Sequence, residues 1–74
     1  MKKIYVTCQV KFAKVLGLPT KHYAIECETL SQVQQAIADI YSYDGVTYID
    51  VNKCGRLKKD TIVLPYNSEG NYSI

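Results

Sequence analysis

The residues of this 74-residue chain that could do chemistry are few: three cysteines (Cys8, Cys27 and Cys54), a single histidine (His22), and Gly70 near the end. The cysteines form no close pair and no metal-ligand spacing, and one histidine supplies no second partner for a zinc site, so neither a metal nor a cofactor is expected. His22 and Glu26 fall on one strand face and could share a hydrogen bond. A histidine without a nucleophile is nevertheless read as a surface residue. Cys8 and Cys27 fall at apolar positions, where a thiol packs as a small hydrophobe and stays protonated; free buried thiols point to a reducing cytoplasm. Cys54 sits in a turn beside Lys53 and Arg56, whose charges would lower its pKa, but the pattern gives it no catalytic partner. With no nucleophile–base pair, carboxylate pair or metal cluster, an enzyme is not expected.

Seven tyrosines are more than so short a core needs. Tyr5, Tyr48, Tyr66 and Tyr72 fall on outer strand faces or in the tail, where strand propensity accounts for them as well as an interface does. With Thr7, Gln9, Lys11 and Asp50, the tyrosines Tyr5, Tyr48 and Tyr66 form the expected partner-binding set. Arg56, Lys58 and Lys59 make the one basic cluster, read as solvated turn charges. A net charge of +2, from nine basic and seven acidic residues, argues against nucleic acid.

Position in the chain follows from hydrophobic period. Ile4, Val6, Cys8, Val10 and Phe12 alternate with polar residues, predicting a strand with one buried face. Gly17 and Pro19 punctuate a long connection, and Tyr23, Ile25 and Cys27 continue the alternation in a second strand. At Thr29 the period becomes helical, with Leu30, Val33, Ile37, Ile40 and Tyr41 on one face and Gln32, Gln35 and Asp39 on the other. Thr29 and Gln32 have capping-box spacing, and the helix should end before Gly45. A third strand covers 46–52, with Thr47, Ile49 and Val51 on one face and Tyr48, Asp50 and Asn52 on the other. A fourth precedes Pro65. Residues 67–74 are polar and read as a loose tail behind a single 1–66 domain. The apolar fraction of 47% is that of a globular protein, and the N-terminus has neither a signal peptide nor a transmembrane pattern.

The order β-β-α-β-β predicts an α+β fold: a mixed four- to five-stranded sheet with one helix across one face and the last strand parallel to the first, the ubiquitin-like β-grasp. Three stretches carry a likeness: Phe12-Ala13-Lys14-Val15-Leu16-Gly17, Val51-Asn52 and Asp60-Thr61-Ile62-Val63-Leu64-Pro65. Together they resemble the sulfur-carrier family of the molybdopterin synthase small subunit and the thiamine-pathway carrier. The resemblance implies a C-terminal tail ending in Gly-Gly and activated by adenylation. Here Gly70 has no neighbouring glycine, and the sequence runs on to Ile74.

Two functions follow as expectations. One is a non-enzymatic protein-interaction module, an adaptor, inhibitor or assembly factor of bacterial or bacteriophage type. It would use the sheet face opposite the helix and leave strand three free to pair with a second copy. The other is a sulfur carrier or protein modifier activated at Gly70 after trimming.

Overall fold

The computed structural model describes residues 3–10, 20–53 and 56–74, so Lys11, Cys54 and the Phe12–Gly17 stretch lie outside the described residues. Four strands and one helix follow in the order β1 (Ile4–Val10), β2 (Lys21–Cys27), α1 (Leu30–Tyr41), β3 (Val46–Asn52) and β4 (Ile62–Pro65). They form one mixed sheet of order β3-β1-β2-β4.

β1 runs antiparallel to both neighbours, pairing Val6 with Ile25 and with Val51. β4 lies parallel to β2, with Ile25 beside Leu64 and Glu26 beside Pro65. The expectation of a last strand parallel to the first is therefore corrected: β3 occupies the free side of β1, and β4 is left the far edge of β2. Pro65 lacks an N–H to donate and is tolerated on that edge.

The alternation in β1 and β2 produces the core directly. Val6, Cys8, Val10, Tyr23, Ile25 and Cys27 form the inner face, each no more than 5% exposed. Val33, Ala36 and Ile40 of α1 close over it, with Ile37 half-buried. The helical stripe is narrower than its period suggested, because Leu30 and Tyr41 at its ends are exposed and Ala36 is fully buried in the middle.

The helix begins as its cap predicts. Thr29 is extended (φ −130°, ψ 160°) and its hydroxyl accepts from the Gln32 N–H at 3.1 Å. The Gln32 carboxamide accepts from the N–H of Glu28 at 2.8 Å, one residue ahead of the cap itself. At the other end the Ser42 hydroxyl donates to the Asp39 carbonyl at 2.8 Å, and the chain turns through Gly45 at φ 81°.

In β3 the simple alternation fails. Thr7 pairs with Asp50 but Gln9 with Thr47, so Cys8 of β1 faces two residues of β3, Tyr48 and Ile49, which is a bulge. The extra residue reverses the faces beyond it. Val46 and Val51 both oppose inner-face residues, Val10 and Val6, whereas Thr47 joins the outer face. Tyr48 takes φ 52° within the bulge and its ring is exposed.

α1 packs against β1, β2 and β3 but not β4. The C-terminal segment occupies the remaining inner side. Tyr66, Tyr72 and Ile74 pack against the core, and the Tyr66 N–H donates to the Glu26 carbonyl at 3.2 Å. Residues 67–70 make a turn in which the Gly70 N–H donates to the Asn67 carbonyl (3.0 Å) and Asn67 Oδ1 accepts from the Glu69 N–H (2.7 Å). This segment is a strap laid beside the helix, held by apolar residues set among polar ones.

Candidate functional site

The route from β3 to β4 decides the outer face. β3 ends at the level of Tyr5, on one edge; β4 starts beside Tyr23, at the level of Cys8, on the other edge. With the helix on the inner face, the connecting chain passes over the outer one. Arg56, Leu57, Lys58 and Thr61 accordingly stand opposite Thr7, Gln9 and His22, enclosing a cleft of about 500 Å³. Ala24, which shares the outer face with Thr7, is fully buried, as expected under a covering chain.

Two hydrogen bonds fix this cover. Asn52 Nδ2 donates to the Arg56 carbonyl at 2.6 Å, and the Thr61 N–H donates to the Lys58 carbonyl at 3.1 Å. Asp60 takes φ 69° inside the turn that the second of these bonds closes. On the sheet, the Thr7 hydroxyl donates to the Asp50 carbonyl at 3.4 Å and Asp50 Oδ1 accepts from the Val51 N–H at 2.8 Å.

Of the residues expected to bind a partner, Thr7, Gln9, Tyr48 and Asp50 line this cleft together. Tyr5 lies on the same face, paired with Glu26 and Asn52, beyond the cleft. Tyr66 packs toward the core instead, and Lys11 is outside the described residues. The sequence pattern marks His22, Arg56 and Lys58 as surface or turn charges; the crossing brings them into the cleft, and no local pattern announces a crossing. A second hollow lies between α1 and β3, lined by Ile37, Tyr41, Val46 and Tyr48 among others.

His22 and Glu26 do not meet. Four residues of strand separate them by about 13 Å, and Glu26 pairs with Lys3 Nζ at 2.7 Å, which raises the Lys3 pKa. Cys8 and Cys27 are buried free thiols, and desolvation pushes both pKa values up, away from the thiolate that nucleophilic or metal chemistry needs. Among the described residues no group of three or more His, Cys, Asp or Glu gathers, and no helix is long and apolar enough to cross a membrane.

Gly70 is enclosed. Its carbonyl accepts from the Tyr43 hydroxyl at 2.5 Å, and the Tyr43 hydroxyl oxygen in turn accepts from the Tyr72 N–H at 3.0 Å. The Tyr72 hydroxyl accepts from the Asn67 N–H (3.1 Å) and donates to the Asn67 carbonyl (3.3 Å), and burial raises its pKa.

No protein-family model matches this chain, and no curated protein or solved structure is significantly similar to it.

Proposed function

We propose that this chain is a non-enzymatic protein-interaction module, an adaptor, inhibitor or assembly factor that receives its partner on the outer sheet face. The observation that carries this reading is the convergence of Thr7, Gln9, Tyr48 and Asp50 under the 56–61 cover. A concave surface on a hydrogen-bonded sheet, with the exposed ring of Tyr48 and polar side chains along its lining, suits recognition. The β-grasp likeness rests on the order β-β-α-β-β and the mixed sheet, while the parallel pair is β2–β4. Buried free Cys8 and Cys27 fit a reducing cytoplasm. A second copy would add at the β3 edge, which the bulge at Tyr48 interrupts.

The test is affinity capture from native-host lysate with wild type and with a Thr7→Ala/Gln9→Ala/Tyr48→Asn variant; asparagine is chosen because it tolerates φ > 0. A partner held by wild type and lost from the triple variant supports the reading. Equal capture by both overturns it.

Carrier chemistry at Gly70 is the rival. It requires residues 71–74 to be removed and Gly70 to leave Tyr43, so it predicts a mature protein ending at Gly70 and an adenylating partner. The seating of Gly70 against the helix favours the interaction module, because a carrier end has to thread into its activating enzyme.

A further inference from the structure

Resting on the outer-face reading, we infer that the occupant of the cleft is an acidic peptide segment of the partner, whose carboxylates meet Arg56 and Lys58. Both cations are mounted on backbone that is already fixed, Arg56 through its carbonyl to Asn52 Nδ2 and Lys58 through its carbonyl to the Thr61 N–H. Only their long side chains remain to be ordered, which lowers the entropic cost of binding. Neither takes part in an ion pair among the described residues, unlike Lys3, which pairs with Glu26.

The acid opposite them, Asp50, already accepts the Val51 N–H, so the cleft's own carboxylate is partly spent on its strand. Counting Arg56, Lys58 and Asp50 with His22 neutral, the lining carries +2 − 1 = +1. The remaining groups suit a peptide. Thr7 and Gln9 offer a hydroxyl and an amide to a peptide backbone, and Tyr48 and half-buried Leu57 offer apolar surface to its side chains. A polyphosphate chain fits less well, since two cations facing a carboxylate make no continuous basic track.

The probe is a fluorescein-labelled peptide of alternating glutamate and leucine, with a lysine–leucine peptide as its counterpart, read by fluorescence anisotropy on the full chain. Saturable binding of the acidic peptide alone is expected. It should weaken about tenfold in Arg56→Glu/Lys58→Glu and fall as salt rises from about 0.05 to 0.5 M, while Lys3→Gln leaves it unchanged. Both substituted positions are exposed, and an unchanged circular dichroism melt verifies folding.

Equal binding of the two peptides, undiminished binding in the double variant, or displacement by an equal concentration of single-stranded oligonucleotide overturns the acidic-peptide occupant. The lysate capture separates the two readings. A partner lost on Thr7/Gln9/Tyr48 substitution but retained by Arg56→Glu/Lys58→Glu keeps the outer face and sinks the acidic segment; a partner retained by every variant sinks both.

Discussion

Gly70 stands so close to Asp39 that a Cβ at position 70 would lie 2.7 Å from the carboxyl carbon and 2.8 Å from Oδ2. That oxygen is buried without a hydrogen-bond partner among the described groups, and Gly70 itself has φ 76°. Two independent constraints thus demand glycine: a backbone conformation that costs an L-residue about 1 kcal/mol and a space already filled.

Gly70→Ala is expected to destabilise the fold by about 2 kcal/mol or more, read from urea unfolding. The Asp39→Ala background should recover part of the loss, because the side chain in the way is gone while the φ penalty stays. Identical losses in the two backgrounds would show that the carboxylate does not confine position 70.

Tyr43→Phe removes one oxygen that serves both Gly70 and Tyr72. A loss of about 1 kcal/mol is expected, with faster amide hydrogen exchange at Tyr72 and little change at Ile25. Unchanged exchange at Tyr72 would show that the strap is held by its apolar contacts alone.

Truncation after Gly70 deletes Tyr72 and Ile74 from the core's edge. Half-burial of two large side chains suggests a loss of about 2–3 kcal/mol and new binding of a hydrophobic dye. A truncated chain as stable as the full one would make residues 71–74 dispensable and strengthen the carrier reading.

Ile25 is fully buried at the centre of the sheet, between Val6 and Leu64. Ile25→Ala should cost about 2–5 kcal/mol, near the whole stability of a domain this size. A melting temperature within a few degrees of wild type would contradict the assignment of the core.

Cys8, Cys27 and Tyr72 all have raised pKa values from burial. For each, the unfolded state loses its proton first as pH rises, so unfolding releases protons and stability falls. Their contribution is complete below about pH 8.5, the unfolded thiol value, and is lost as pH climbs through the folded values. Denaturant midpoints measured from neutral pH upward should decline. Cys8→Ala/Cys27→Ala should flatten the thiol part of that decline, and an equal slope in the variant would locate the alkaline sensitivity elsewhere.

Much was legible from local pattern. Period-2 alternation placed Val6, Cys8, Ile25 and Cys27 inside, period 3.6 placed Val33 and Ile40 on them, and the Thr29–Gln32 spacing marked the helix start. Each depends on neighbours within a turn or along one strand, where side-chain direction is set by the backbone itself. Lost to that reading were Asp39, taken for a solvent-face residue yet half-buried against Gly70, and Tyr66 and Tyr72, which lie in a polar stretch yet pack on the core.

The sequence by itself determined the element order, the inner faces of β1 and β2 and the helix cap. Tertiary structure alone decided that β4 joins β2, that a bulge at Tyr48 turns Thr47 outward, that 56–61 crosses over His22, and that the strap seats Gly70 on Asp39. Those outcomes join residues from 31 positions apart (Asp39 and Gly70) to 43 apart (Thr7 and Asp50). They are settled by which edges and faces remain uncovered after the hairpin and helix have packed, a competition that no local window of sequence contains.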